Sequence, residues 1–467
     1  MKLENFFTDY DDSVAGEIKI DPLGMLAIWS SLGQRIFNNR VSSISNDVRN
    51  YTLNLLHHHA IRNLVNDATR PLPVSLAKQF ESKDSLAFKQ ACILLLEDVF
   101  VLTVVENEGL SEPAKFDPIG ILGITRARRA RDDANGSLNE YRLQFSTEAN
   151  RFLTNQLSLG VSGRYKTPLI EMSFFDKRYE YRLPAFNPQW VQFENFLAAS
   201  NKKLLALSSD LTSFLYEAIQ RTAKGRTTHF KDVPDELKTG YLKQFSTPGT
   251  VGSYSRNFWL AITGLDLGAA GAILTVLEKT IPANGEAIPV SNKNVIEQAL
   301  QTAPEAHKHD LERITQIEPF LANIDLLFWC VLSKQSQTVA DVESSWRVLL
   351  RDETTLPRMA SELMIHGNTL TDGLSALAKA RLTKLLAFAS ISGFDKQLEF
   401  LIKYHHKIME NRGQGEWSVI ESNGKIRNYV RKDINLAPLK WPPGVWTHTY
   451  YIPEFRQLSR GLSGGRL

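Results

Sequence analysis

Residues 157–184 read LSLGVSGRYKTPLIEMSFFDKRYEYRLP, and they interrupt a chain whose patterning is otherwise mostly helical. The stretch begins glycine-rich, becomes basic at Arg164 and Lys166, and then carries aromatic and β-branched residues around a polar dipeptide at 176–177. Two such runs around a short polar turn are typical of a β-hairpin. We therefore predict a mainly α, multi-domain protein with a small central β-hairpin after Pro168.

The glycine-rich start of this stretch is close to a phosphate-binding loop. Gly160, Lys166 and Thr167 lie at the spacing of the G-x-x-x-x-G-K-[ST] motif, but Tyr165 stands in place of its second glycine. That glycine lets backbone N–H groups face a phosphate, and the motif also needs a following helix, whereas a proline and a strand-like run follow here. Two interpretations stay open: a turn that presents Arg164 and Lys166 to an anion, or a purely structural turn.

The composition is that of an ordinary globular chain. Of 467 residues, 43% are hydrophobic and 22% are charged, and the net charge of +3 leaves acidic and basic residues nearly balanced. These values argue against a largely disordered chain, and against a protein that binds polyanions over its whole surface. A chain of this length is expected to contain roughly two to four domains.

The cysteines and the apolar runs indicate the cellular compartment of the protein. Cys92 and Cys330 lie inside apolar runs and are expected to be buried free thiols, so without a disulfide framework we expect a cytoplasmic protein. The acidic start of the chain lacks the apolar run of a signal peptide. The apolar segments 91–105 and 320–332 are shorter than about 18 apolar residues, so we predict buried core helices rather than membrane spans.

One phrase of sequence occurs twice. KIDPLGMLAI at 19–28 returns as KFDPIGILGI at 115–124, an offset of 96 residues. An Asp-Pro pair suits the start of a helix, because the Asp side chain caps the first N–H groups and proline needs no N–H there. The repeat therefore indicates either a shared way of starting a helix or a duplicated helical unit.

The C-terminal part of the chain changes character. Helical patterns at 373–392 and 395–411 precede a hairpin pattern at 416–431 with Asn-Gly at its turn, and a further strand-like run follows at 446–452. Two helices and a hairpin follow in winged-helix order, in which the wing touches the DNA backbone, although winged helices also serve purely as protein-binding modules. We predict a C-terminal α+β module, with a winged helix as one interpretation.

Breaks in the patterning predict four domains. They are an N-terminal helical domain at 1–114, a helical domain with the basic segment and β-hairpin at 115–245, a central helical domain at 258–370, and the C-terminal module at 371–467.

Each candidate motif for catalysis or metal binding lacks either the residue spacing or the structural context that its chemistry requires. Adjacent helical residues point about 100° apart, so the histidines at 57–59 cannot all face one ion. No H-E-x-x-H motif occurs, and the G-x-S-x-G match at 461–465 lacks its strand–turn–helix context. We predict no metal site, no cofactor and no catalytic residue.

Local basic patches are the most plausible functional feature, because cations meet phosphates and neighbouring aromatic rings stack on bases. They occur in TRARRARDD at 125–133, around Tyr179 and Tyr181, and in the C-terminal hairpin. The candidate anion-binding or nucleic-acid-binding residues are Arg126, Arg128, Arg129, Arg164, Lys166, Lys177, Arg178, Arg182, Lys425, Arg427, Arg431 and Lys432. An ordinary solvated surface is the alternative.

Together these observations predict a non-enzymatic subunit or adaptor of a multi-protein bacterial assembly, acting on nucleic acid in DNA handling or anti-phage defence. Its expected partners are protein subunits and nucleic acid, with no membrane. The alternative is a nuclease or nucleotide-using enzyme whose site assembles from distant residues around Arg164 and Lys166. The two hypotheses separate experimentally, because binding by an adaptor weakens steeply with salt and persists without divalent metal.

Overall fold

The computed structural model describes residues 21–108, 116–147, 152–153, 155–280 and 290–464. About 64% of the structure is helical, and its strands are few, short and antiparallel, so the protein is mainly α as predicted. The described α-helices are α1 (Leu26–Ile36), α2 (Val48–Asn66), α3 (Val74–Phe80), α4 (Leu86–Asn107), α5 (Ile124–Asp133), α6 (Gln156–Leu159), α7 (Val161–Arg164), α8 (Lys166–Glu171), α9 (Asn187–Ser200), α10 (Lys202–Ala223), α11 (Asp235–Gln244), α12 (Pro248–Thr263), α13 (Gly268–Lys279), α14 (Asn292–Thr302), α15 (Glu305–Leu332), α16 (Val339–Val348), α17 (Thr355–Met364), α18 (Ala376–Leu385), α19 (Phe394–Asn411) and α20 (Ile452–Leu462). The described strands are β1 (Arg142–Leu143), β2 (Thr228–His229), β3 (Ser336–Gln337), β4 (Ser418–Ile420) and β5 (Ile426–Asn428).

Tertiary contacts divide the chain into two compact units. Unit 1 takes the described residues of Met1–Asn38, Leu267–Val276 and Pro289–Pro453, and unit 2 takes those of Asn39–Asp266, Leu277–Ile288 and Glu454–Leu467. Each unit is therefore assembled from three separate stretches of chain. The four domains predicted from breaks in the patterning stay a prediction.

Helices α2 and α4 run through the core of unit 2. The Asp47 side chain caps α2 by accepting from the Arg49 N–H at 2.8 Å, and Ser85 caps α4 by accepting from the Phe88 N–H at 3.2 Å. Every residue of α4 from 91 to 105 is buried, so the predicted buried core helix is confirmed. Helix α2 packs against α10 and α12 and is also buried over most of its length.

Unit 1 is organised around α15. By length and composition, this is the one helix in the described part of the chain that could cross a membrane, and 72% of its apolar window is buried inside the protein. Segment 320–332 lies in this helix and is almost wholly buried, which confirms the prediction of a core helix there.

The buried carboxylate of Glu318 on α15 joins distant parts of unit 1. It accepts from the indole Nε1 of Trp29 at 2.7 Å and from the hydroxyl of Tyr450 at 2.5 Å. It also accepts from the backbone N–H groups of Thr447 and His448, at 2.6 and 2.9 Å. Burial raises the pKa of Glu318, and these donors oppose that shift. The beginning, middle and end of unit 1 therefore meet at one carboxylate.

Unit 1 also contains a small antiparallel sheet in the order β3–β5–β4. Val419 lies opposite Arg427 in the β4–β5 pair, and Gln337 lies opposite Ile426 in the β3–β5 pair. The β4–β5 turn is closed by the Glu421 N–H, which donates to the Lys425 carbonyl at 2.8 Å. The predicted C-terminal hairpin, with Asn-Gly in its turn, is confirmed.

The predicted strand at 446–452 is wrong. The chain is irregular over residues 445–449, and α20 begins at Ile452. The N–H groups of Thr447 and His448 donate to Glu318, so they are not available to a strand ladder.

The predicted central hairpin is also wrong. Residues 166–171 form α8, and the chain from 172 to 183 is irregular. The carboxylate of Asp176 accepts from the N–H groups of Arg178 and Glu180 at 2.8 and 2.9 Å, and the Trp190 indole donates to the Phe174 carbonyl at 2.7 Å. Side chains therefore satisfy backbone groups that a hairpin ladder would pair.

The repeated phrase is used differently in the two units, and its residues 19, 20 and 115 lie outside the described part. In unit 1, Asp21 accepts from the N–H groups of Met25 and Leu26 at 2.9 and 3.0 Å, at the start of α1. In unit 2, Asp117 accepts from the Ile119 N–H at 3.0 Å, in a turn several residues before α5. Asp21 therefore caps a helix, whereas Asp117 closes a separate turn.

Candidate nucleic-acid interface

The glycine-rich stretch forms three short helices, α6, α7 and α8. The start of this stretch packs against the buried carboxylate of Glu97, which belongs to α4. The N–H of Ser162, near the start of α7, donates to Glu97 at 2.6 Å. The Gln156 side-chain amide donates to Glu97 and to Asp98, at 3.1 Å each. Burial raises the pKa of Glu97 to about 7. The turn that resembled an anion site therefore binds an anionic group of its own chain.

Gly160 allows this approach. A Cβ atom at this position would lie 2.5 Å from a Glu97 carboxylate oxygen and 2.5 Å from the Gln156 carbonyl oxygen. Both distances are shorter than van der Waals contact. The glycine that suggested a phosphate loop is therefore required by an internal carboxylate.

The two basic residues of this stretch also make internal contacts. The Arg164 Nε donates to the Leu159 carbonyl at 2.9 Å. The Lys166 ammonium donates to the Lys177 carbonyl at 2.8 Å and lies 4.3 Å from the centre of the Tyr179 ring. Each of these side chains is therefore held by its own segment.

The aromatic residues in the following run are not available to bases. Tyr179 and Tyr181 are only 1% and 2% exposed, so the expectation that their rings interleave with cations at a binding surface is wrong. Arg182 donates to the Asn66 side chain and the Val65 carbonyl at 2.9 Å each, and it pairs with an aspartate. Lys177 and Arg178 are exposed.

The three adjacent histidines each have a separate partner in the core of unit 2. His57 hydrogen-bonds to a tyrosine hydroxyl, His58 to the Tyr181 hydroxyl and His59 to a serine hydroxyl, at 2.7, 2.8 and 2.7 Å. Burial lowers the pKa of His57 to about 3, so the ring is neutral near pH 7. Within the described ranges, no group of three or more His, Cys, Asp or Glu side chains is placed to hold a metal ion.

The arginines of α5 divide into two pairs. Arg128 binds both carboxylate oxygens of Glu108, at 2.9 and 3.0 Å from its Nε, and Arg131 donates to the Val105 carbonyl at the end of α4. Cations at a helix C-terminus stabilise the last carbonyls. Arg126 and Arg129 point to solvent. Half of this cluster therefore stabilises α4.

The C-terminal hairpin has a different arrangement. Residues 425–431 include strand β5 and alternate in exposure along and beyond it. The exposed positions are Lys425, Arg427, Tyr429 and Arg431, whereas Ile426 and Asn428 are buried and Val430 is half-buried. The pairing continues past β5, because the Tyr429 N–H donates to the Trp417 carbonyl at 2.8 Å. We call the four exposed residues the basic strand face.

The cations of this face are weakly engaged. Arg427 lies 3.7 Å from the Glu421 carboxylate, and Arg431 lies 2.9 Å from that of Asp433. The arginine side chains of these pairs are 58% and 66% exposed, and such surface pairs contribute little stability. Lys425 forms no ion pair with any other described residue. All three cations can therefore reorient toward a phosphate.

The exposed face of α19 is electrically balanced by comparison. Its exposed lysines and carboxylates are Lys396, Lys403, Lys407, Asp395, Glu399 and Glu410. Lys403 already pairs with Glu399 one helical turn away, at 2.5 Å. The positive charge near the hairpin is therefore concentrated on the basic strand face rather than on the helix.

Lys425, Arg427 and Arg431 were predicted from the sequence as binding residues, whereas Tyr429 was not. The alternation of KIRNYVR at 425–431 could have indicated that the tyrosine is exposed together with the cations. Lys432 was predicted as well, and its ammonium lies 3.6 Å from the centre of the Trp329 ring.

No protein-family model, curated protein or solved structure shows a significant match to this chain.

Proposed function

We propose that the protein is a non-enzymatic adaptor that contacts the phosphate backbone of nucleic acid through the basic strand face of unit 1. The observation that carries this proposal is a set of three exposed cations at positions 425, 427 and 431, in strand β5 and beside its two ends. Phosphate contacts from Lys and Arg supply sequence-independent affinity. Membership of a multi-protein bacterial assembly, a cytoplasmic location and a role in defence are part of the same proposal, and they come from the sequence.

We further propose that residues 305–432 form a winged-helix module with an insertion. Helix α15, strand β3, helices α16 and α19, and strands β4 and β5 follow in the order typical of that module. The sheet order β3–β5–β4 also agrees, because the first strand pairs with the last. Helices α17 and α18 would be the insertion. The β4–β5 turn would be the wing, which supports a backbone contact at Lys425 and Arg427.

The enzyme alternative around Arg164 and Lys166 receives less support. Both side chains donate to backbone carbonyls of their own segment, and the carboxylate nearest to the turn, Glu97, is buried. A substrate at this turn would have to displace these contacts.

Charge reversal on the strand face tests the proposal. The variant Arg427→Glu/Arg431→Glu is expected to weaken binding of labelled oligonucleotides roughly tenfold or more, in buffer with chelator and moderate salt. The matched control is Arg347→Glu/Arg358→Glu, because these arginines of unit 1 are 68% and 66% exposed and the charge change is equal. Fluorescence anisotropy measures both. Wild-type affinity in the strand-face variant, or equal loss in the control, refutes the proposal.

A further inference from the structure

Tyr429 is the only Phe, Tyr or Trp in the described ranges that is exposed, at 60%. Burying an aromatic ring stabilises a fold, and a ring this exposed contributes little of that stabilisation. Its neighbours on the same face are cations, and the Arg427 guanidinium carbon lies 5.5 Å from its ring centre. The ring is therefore placed at the surface among positive charges.

The order of residues puts a cation on each side of the tyrosine. Arg427 lies two positions before Tyr429 and Arg431 two positions after it, and both arginines are exposed. A base stacked on the ring would place its own phosphate and the next one near these two guanidinium groups. This combination of a stacking ring and flanking cations is the way proteins bind single strands.

From this arrangement we infer that the basic strand face binds unpaired nucleotides, with Tyr429 stacking on a base. A duplex presents base edges in its grooves and keeps its base faces covered, so a ring at the protein surface gains little from it. An unpaired base offers a free face to an aromatic ring. The inference rests on the proposed function and adds the class of nucleic acid.

The neighbouring aromatic residues do not compete for this role. Trp329 is half-buried, the Lys432 ammonium covers its ring at 3.6 Å, and Trp441 packs edge-on against it at 5.5 Å. Tyr429 therefore offers the more accessible ring face for stacking.

Two variants of Tyr429 test the inference. Wild-type protein is expected to bind a single-stranded DNA or RNA oligonucleotide more tightly than a blunt DNA duplex of the same sequence. Tyr429→Ala is expected to weaken single-strand binding roughly tenfold and to leave duplex binding unchanged, whereas Tyr429→Phe keeps the ring and the affinity. Since the ring carries no charge, the salt dependence of binding should not change.

Leu439→Ala is the control, because Leu439 is 96% exposed in the same unit and lies off the strand face. Thermal unfolding of each variant establishes that it is folded. Comparing DNA with RNA single strands shows whether the 2′-hydroxyl contributes to binding.

Equal binding of Tyr429→Ala and wild type to single strands overturns the inference, and so does a wild-type preference for duplex. If either result is found but Arg427→Glu/Arg431→Glu still weakens nucleic-acid binding, the proposed function is retained and only the stacking role of Tyr429 is rejected. If wild-type protein binds neither probe and an acidic protein partner is found at this face instead, both proposals fail.

Discussion

The backbone N–H of Ser162 donates a hydrogen bond to the carboxylate of Glu97 at 2.6 Å, so the most site-like turn of the chain is occupied by a side chain from α4. The same carboxylate accepts from Gln156 and lies against Gly160. An external anion at this turn would have to displace a buried group that several donors already satisfy. The turn is therefore closed to an external anion, whereas the cations of the basic strand face are exposed.

Glu97→Gln is expected to flatten the pH dependence of stability. The pKa of Glu97 is raised from 4.5 to about 7 in the fold, so the native state holds more protons in that window and the free energy of unfolding falls as pH rises through it. A glutamine is neutral throughout and can still accept the Ser162 N–H. The lowered pKa of His57 acts in the opposite direction, and the difference between variant and wild type removes its effect.

Urea unfolding at several pH values between about 4.5 and 7.5 measures this effect, with the exposed Glu217→Gln as control. The variant should gain stability relative to wild type as pH rises across the window. A constant difference between the two proteins would show that Glu97 does not titrate there.

Gly160→Ala is expected to destabilise unit 2 by roughly 1–3 kcal/mol, because its Cβ meets the Gln156 carbonyl and the Glu97 carboxylate at 2.5 Å. Gly415→Ala is the matched control, because no atom lies within 4 Å of the added Cβ. Chemical denaturation followed by circular dichroism measures both. Equal stabilities would mean that the segment around Gln156 shifts at little cost.

Glu318→Ala is expected to destabilise unit 1 by at least about 3 kcal/mol. The substitution leaves the Trp29 indole, the Tyr450 hydroxyl and two backbone N–H groups without their buried acceptor. Glu305→Ala on the same helix is the control, since its side chain is 87% exposed. Denaturant titration compares the two, and a similar small loss in both would contradict a central role for Glu318.

The reaction rates of the two cysteine thiols with a thiol reagent are expected to measure local unfolding of the two units separately. Cys92 lies buried in unit 2 and Cys330 in unit 1, and burial raises the pKa of each thiol, that of Cys330 to about 12. A thiol reagent should therefore react only when the surrounding helix opens. The variants Cys92→Ala and Cys330→Ala each leave one thiol to follow, and rapid labelling without denaturant would contradict the buried positions.

Arg427→Ala is expected to reduce the slope of log affinity against log salt concentration by about 0.7 on a single strand and about 0.9 on a duplex. These values correspond to the loss of one phosphate contact. Arg347→Ala, at a side chain that is 68% exposed against 58% for Arg427 and lies off the strand face, should leave the slope unchanged. Binding titrations at several salt concentrations measure this slope. An unchanged slope for Arg427→Ala would show that Arg427 does not contact a phosphate.

Local turn chemistry made one part of the fold predictable from sequence. Asn423 and Gly424 favour a tight hairpin whatever surrounds them, and the structure has that hairpin between β4 and β5. The buried helices at 91–105 and 320–332 follow equally from the length of their apolar runs.

The two wrong strand predictions have a common physical cause. In each, a carboxylate binds backbone N–H groups that a ladder needs: Asp176 within its own segment, and Glu318 from 129 residues before Thr447. Aromatic and β-branched patterning does not reveal a competing acceptor, and a distant one cannot be located from a single sequence. The same limit concealed Glu97, whose position against Ser162 depends on a contact across 65 residues.

The hydrogen bond from Trp29 to Glu318 spans 289 residues, and it has a consequence for synthesis on the ribosome. At about 5–20 residues per second, α1 emerges roughly 15–60 s before the carboxylate that its indole binds. During that interval the apolar side chains of Ile28, Leu32 and Ile36, all buried in the finished protein, have no partner from α15. Helix α1 therefore cannot dock on α15 until that helix has been made, and until then the growing chain carries α1 exposed or shielded by a chaperone.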